Sequence, residues 1–288
     1  MAVSTSPRGE AVGRTETPAQ AARAAKRELA RLGRPSGDFD ASRYFRASDD
    51  LRFHNVGTDA MRALARSIHA ANRTTWSIRD ATAFADLLIK DRYLEVKSVG
   101  IEVVARYRRD FAPAHLGVWK CWLVANHSAN WATTDAICCS LIGPLLVKYP
   151  ELGVRMRVWA CDRNLWVRRA SAVGLIPSVR QGVALDLAYE IARRLHADRE
   201  DLIQKAAGWM LREAGKADGP RLERYLRANG RGIPRTTLRY AIERFPEAKR
   251  RQLLEVTRKV RTALAVPRVT AEAVPCVPTS EEKDHDGR

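Results

Sequence analysis

The chain has 288 residues, enough for one large domain or two small ones, and its 45% hydrophobic and 29% charged content is ordinary for a globular protein. Its 50 Lys and Arg against 33 Asp and Glu leave a net charge of +17, which calls for a polyanionic partner and weighs against a protein–protein scaffold. Nothing resembles a signal peptide and no apolar run approaches the roughly 18 residues of a membrane span, so the expected polyanion is DNA or RNA and not a lipid surface.

Residues 1–17 (MAVSTSPRGEAVGRTET) are small, polar and punctuated by Pro and Gly, and are expected to be a disordered extension. From 18 to about 265 helix formers dominate and alternating β-branched runs are scarce, which predicts an all-α domain. A basic stretch, KRRQLLEVTRKVR, is expected to be a capping helix near its end. Residues 266–288 carry several prolines and close on SEEKDHDGR, a second expected disordered tail. Five scattered cysteines offer no CxxC pair and are read as reduced thiols of a cytosolic protein.

An internal repeat organises the domain. DRYLEVKSVG from Asp91, DRNLWVRRAS from Asp162 and DREDLIQKAA from Asp198 share a pattern, with 36 residues between the last two starts and 71 between the first two. Intermediate and final copies are expected near 126 (NHSANWATTDAIC) and near 234 (PRTTLRYAIERF). A helix pair repeated at this period predicts an α-solenoid of HEAT or armadillo type with a concave face. In the aligned register Arg169 and Lys205 share a column. Repeated on neighbouring units, such a column can follow a phosphate backbone; the alternative is ordinary solvated surface.

The fourth copy carries a contradiction in its pattern. In LIQKAAGWMLREAGK, Ile203, Ala206, Ala207, Met210 and Ala214 line a complete apolar face, while Trp209 falls among Lys205, Arg212 and Lys216. Two repeats earlier in the chain, Trp131 and Asp135 stand one turn apart, at the edge of a stripe made by Thr134, Ile137, Leu141 and Ile142. An isolated pair of this kind is most often a core Trp beside a surface or Arg-paired Asp. With Trp209 it suggests a site: two indoles flanking a flat or cationic group, and a carboxylate that stabilises developing positive charge or orients a water. Arg169 would hold a phosphate. No GxGxxG, P-loop, GxSxG or HExxH is present, and the six histidines show no ligand spacing, so no cofactor and no metal are expected.

At these residues the chain resembles the DNA alkylation repair family, the AlkD-type HEAT-like-repeat DNA glycosylases. The resemblance lies in QKAAGWMLREAGK with IPRTTLRYAIERF, in RYFRASDDLRFHNVGTDAMRALAR, and in NWATTD and LWVRRAS, and covers about residues 27 to 246. It implies release of positively charged alkylated purines, N3-methyladenine and N7-methylguanine and bulkier adducts among the possibilities, from duplex DNA without base flipping. It implies Asp135 as the catalytic carboxylate and Trp131 and Trp209 against the sugar of the lesioned nucleotide. Arg169 would sit on phosphate, with Arg168, Lys205, Arg212, Lys216 and Arg235 as further DNA contacts. A monomer in the cytoplasm, associated with DNA, is the expected setting. Ala132 departs from the family pattern, which often places an acid there. The competing reading is a non-catalytic HEAT-like protein that recognises damaged or branched DNA.

Overall fold

The repeated Asp headings are hydrogen-bonded turns that each start a helix. In the computed structural model, which describes residues 16–35, 37, 40–45, 50–230 and 232–259, Asp91 Oδ1 accepts from the Tyr93 N–H at 3.0 Å. Asp162 and Asp198 accept from Asn164 and Glu200 in the same way, both at 2.9 Å. Each is an Asx turn, a short polar side chain fixing the backbone two residues on. The carboxylate also takes a cation from an earlier helix: Lys26 on Asp91, Lys120 on Asp162, Arg168 on Asp198. One residue type thus starts a helix and ties it to a neighbouring one.

Contacts divide the chain into two units. The first contains α1 (Pro18–Leu32), α2 (Thr58–Asn72), α3 (Ile78–Leu88) and α4 (Leu94–Ala105), with residues 127–133. The second contains α5 (His115–Val124) and everything from Thr134 onward, most of α6 (Trp131–Ile137) included. There follow α7 (Gly143–Lys148), α8 (Arg155–Trp159), α9 (Leu165–Val173), α10 (Ile176–Arg180), α11 (Leu185–Leu195), α12 (Asp201–Ala217), α13 (Gly219–Asn229), α14 (Arg235–Ala241) and α15 (Glu247–Lys259). Among the described residues the nearest thing to sheet is an isolated bridge between Arg52 and Tyr93. The class is the expected one, all-α and built from HEAT-like helical repeats, with α4, α6, α9, α12 and α14 opening where the five repeat headings end. KRRQLLEVTRKVR forms much of α15 as far as 259. The two expected disordered tails lie outside the described residues except for Glu16 and Thr17; Thr17 caps α1 in a capping box with Gln20.

In the first unit α1 packs on α3, and α2 and α3 on α4. Helix α4 is enclosed on several sides, so its polar residues serve as internal splints. Glu95 accepts from the His54 and Val56 N–H groups. Lys97 donates to the carbonyls of Ile89 and His127 at 2.7 and 2.6 Å. Burial lowers the Lys97 ammonium to about 8, the direction expected for a cation withdrawn from water.

In the second unit α12 is the central element, packed on α9, α10, α11, α13 and α14. Its buried set is wider than the sequence pattern predicts, adding Gly208, Leu211 and Glu213. Gly208 is where α14 comes closest: a Cβ there would stand 2.5 Å from Tyr240 Cβ and 2.7 Å from the Thr237 carbonyl oxygen. Helix propensity favours Gly208→Ala by about 1 kcal/mol, whereas forcing α14 away costs roughly 1–3 kcal/mol or more. The clash wins because one obstructing atom is backbone. Gly208→Ala is expected to lower Tm by several degrees in thermal denaturation followed by circular dichroism; an unchanged or higher Tm would show that α14 yields freely.

Cys121, Cys138 and Cys139 are free thiols, as expected.

Candidate active site

The segment before α6 is shaped by its own polar groups. Asn126 and Ala129 adopt left-handed backbone, at φ of 57° and 56°. Buried Asn130 then caps the helix: its Oδ1 accepts from the Thr133 N–H at 2.8 Å, and its Nδ2 donates to the Ser128 carbonyl. After Ile137 the helix loosens into a π turn, Cys138–Ile142, before α7. Such turns are rare in helices and recur at functional sites.

Trp131, the first residue of α6, is held in place within the first unit. Its indole N–H donates to the Tyr44 carbonyl at 2.8 Å. Its ring stacks on Phe45, with centroids 5.5 Å apart and planes 10° from parallel. Phe45 in turn meets Phe53 at 5.4 Å. One indole face is therefore covered by Phe45. The residue order NWATTD revealed the turn between Trp131 and Asp135 but not this aromatic support, whose partners lie more than 80 residues away in the chain.

One turn after Trp131, Asp135 meets Arg169 of α9. Arg169 Nε and Nη2 donate to the two carboxylate oxygens, each at 2.8 Å. The remaining terminal nitrogen, Nη1, donates to the Leu202 carbonyl in the first turn of α12. One guanidinium thus joins three helices, and its planar fork matches the carboxylate as a lysine would not. Side-chain exposure is 6% for Arg169 and 14% for Asp135, so the carboxylate is the end of the pair nearer solvent. Burial raises the Asp135 pKa from its ordinary value, with Arg169 pulling the other way. Bidentate donation to both oxygens is the geometry of the ionised form.

Arg169 does not lie in a solvent-facing stripe with Lys205, as the shared column suggests. It is buried, and its donors are spent on Asp135 and Leu202. Lys205 is half-exposed and, among the described residues, pairs with exposed Asp201 one turn away, an association worth little in stability.

Trp209 is half-buried on α12. Seven residues after Leu202, it lies roughly two turns further along the same side of that helix. Asp135, Arg169 and Trp209 are therefore arranged within one unit around a common helix. The cations beside Trp209 are gathered by a residue that the sequence reading did not weigh, Glu213. It is 2% exposed and takes Arg180 at 3.0 Å, Lys216 at 2.8 Å and Arg212 at 3.6 Å. Burial works to raise its carboxyl pKa, but hydrogen bonds from Lys216 and Arg180 prevail and leave it below the ordinary value. Arg212 also reaches Glu243. A lone Glu between Arg212 and Lys216 was the available signal.

The other expected DNA contacts serve the fold as placed. Arg168 donates to Asp198 and to the carbonyls of Asp162 and Arg163. Arg235 reaches the Thr257 hydroxyl at 3.1 Å on α15. Beside Asp135, burial raises the Cys138 thiol well above its usual pKa and Cys139 to about 11, so neither supplies a thiolate nucleophile at neutral pH. Among the described residues no group of His, Cys, Asp and Glu is arranged to hold a metal ion, and no single helix is long and apolar enough to cross a membrane.

A family model for the DNA alkylation repair enzyme matches residues 25–245, nearly the span that the motifs cover. The chain belongs to the DNA alkylation repair family. Its fold is similar to that of a solved structure described as a predicted DNA alkylation repair enzyme from Enterococcus faecalis, at a TM-score of 0.61 and 14% identity. The similarity covers 81% of this chain and 99% of the other. No curated protein matches. As a member of this family the chain is assigned to repair of alkylated DNA, and Asp135 with Arg169 is its best-defined charged centre in a half-buried setting.

Proposed function

We propose that this family member is a monofunctional DNA glycosylase that hydrolyses the N-glycosidic bond of cationic alkylated purines, N3-methyladenine and N7-methylguanine, in duplex DNA without flipping the base. The observation that carries the reading is the Asp135–Arg169 pair on α6 and α9, whose carboxylate is the less buried of its two ends, with α12 bringing Trp209. In the reaction the C1′–N bond breaks and its electrons neutralise the cationic base, which leaves. The sugar becomes an oxocarbenium ion; water adds at C1′ and loses a proton, giving an abasic site. The base already carries the positive charge, so no strong general acid is required.

Asp135 supplies negative charge toward the sugar cation, and its second role is to orient the attacking water. Arg169 positions that carboxylate and keeps it ionised. Trp209, in the same unit as the pair, offers an indole face to the sugar, while Trp131 is fixed by Phe45 and Tyr44 in the first unit. Lys205 is the most displaceable of the expected phosphate contacts. The protein acts as a monomer in the cytoplasm on DNA.

The test is to incubate the full chain with duplexes carrying N7-methylguanine or N3-methyladenine and quantify free base against time. Release at a rate well above spontaneous depurination is the expected result. Tight, salt-sensitive duplex binding without release would replace the glycosylase with the non-catalytic damage-recognition reading, in which Arg169 simply silences Asp135.

A further inference from the structure

The first unit holds a cationic cavity that none of the roles above uses. It has a volume of about 670 Å³ and lies at the C-terminal ends of α2 and α4, lined by His69, Arg73, Trp76, Arg106, Tyr107 and Arg108. Arg73 and Arg106 are the C-cap residues of α2 and α4, where the negative end of a helix favours a cation. That effect accounts for one cation at each end. It does not account for a third guanidinium, Arg108, in the same hollow.

Arg109, Glu102 and Asp110 complete the charged lining. Glu102 faces Arg62 at 3.5 Å. Among the described residues Arg73, Arg106 and Arg108 have no ion-pair partner, in contrast to Arg168, Arg169 and Arg212.

Two buried polar atoms here lack any hydrogen bond: the Tyr107 hydroxyl, on a residue 6% exposed, and Arg106 Nε. Orphaned buried donors cost stability unless something enters to accept from them. His69 sits edge-on to the Tyr107 ring, with centroids 5.1 Å apart. Its pKa is lowered by burial and then by Arg106 and Arg73. The wall of the hollow thus contains a buried, unpartnered phenol hydroxyl and guanidinium N–H, with further guanidinium groups around one space. A tetrahedral oxyanion with several acceptor oxygens satisfies donors arriving from different directions better than a planar carboxylate does.

We propose that this cavity is a phosphate-binding site. It is built by α2, α4 and the turn after α4 in the first unit, and it stands independently of whether Asp135 performs catalysis. The phosphoryl group comes either from the backbone of duplex DNA or from a small phosphorylated ligand.

The experiment compares the wild-type chain with Tyr107→Phe and Arg106→Gln in two arms. In the first, inorganic phosphate is titrated while Tm is followed and His69 is observed by NMR. Phosphate is expected to raise the wild-type Tm and the His69 pKa, because an anion offsets the neighbouring guanidinium groups. Tyr107→Phe, which removes an unpartnered hydroxyl, should match the wild type without phosphate and bind phosphate about tenfold more weakly. In the second arm, affinity for an undamaged duplex is measured against salt. Arg106→Gln is expected to reduce the slope of log K on log salt by about one if the ligand is backbone phosphate. An effect of the variants in the phosphate arm alone identifies a small phosphorylated ligand; effects in both arms identify DNA. If the variants are indistinguishable from wild type in both arms, the proposal is overturned. Base release enters neither arm, so failure of the glycosylase reading and failure of this site are separately visible.

Discussion

Asp135→Asn is expected to slow base release at least about a hundredfold under single-turnover conditions, the scale on which removing one preorganised electrostatic group acts. The substitution keeps the side chain's shape and removes its charge. Arg169 now donates to both carboxylate oxygens at 2.8 Å; an asparagine accepts at one position and presents an amide N–H₂ to the other donor. Roughly 1–3 kcal/mol of stability is lost for the unsatisfied guanidinium N–H, so folding is checked by circular dichroism at the assay temperature. Duplex affinity should hold or rise, because a negative charge has been removed from a chain of net charge +17. Loss of release with binding retained assigns the chemistry to the carboxylate. Release within a few-fold of wild type in a folded variant would remove Asp135 from the mechanism.

Arg169→Met is expected to produce the largest loss of stability, about 3–5 kcal/mol at neutral pH, because it leaves a buried carboxylate without its partner. The Leu202 carbonyl loses its donor in the same step. The pH dependence carries a definite sign. Burial already raises the Asp135 pKa in the folded wild type, and Arg169 opposes that rise. A carboxyl whose folded pKa is raised contributes stability that is fully present below its unfolded pKa and is lost as pH rises through its folded value. Without Arg169 the folded pKa moves further up, so the penalty at neutral pH grows. The gap in Tm between the variant and the wild type should therefore be widest near neutrality and narrow on acidification through the Asp135 titration. A gap independent of pH would mean that Arg169 stabilises the site through packing and the Leu202 contact alone. An Asp135→Asn, Arg169→Met double variant separates these, since the coupling between the two substitutions measures the pair itself.

Much of this molecule is written locally in its chain. The headings at Asp91, Asp162 and Asp198 start helices because a short carboxylate bonds its own backbone two residues on, a preference independent of distant contacts. Helical periodicity placed Ile203, Ala206, Ala207, Met210 and Ala214 inside, and all five are buried. The turn between Trp131 and Asp135, the repeat period and the family motifs were legible for the same reason.

Tertiary structure decided what each polar side chain meets. Arg169 and Lys205 occupy one column of the repeat, yet Arg169 is buried on a carboxylate 34 residues earlier while Lys205 remains with its helical neighbour Asp201. Residue spacing reports which side of a helix a cation leaves from, not what the adjoining helix places opposite it. The same holds for Glu213, which became a trap for Arg180, Arg212 and Lys216 only when α12 was enclosed by its neighbours. It holds as well for the stacking of Phe45 on Trp131. The sequence by itself determined the helices, their repeat and the kinds of residue at the site. Which charges are neutralised and which stay open was decided by helix packing, because ion pairing falls off over a few ångströms while the chain brings its partners from tens of residues away.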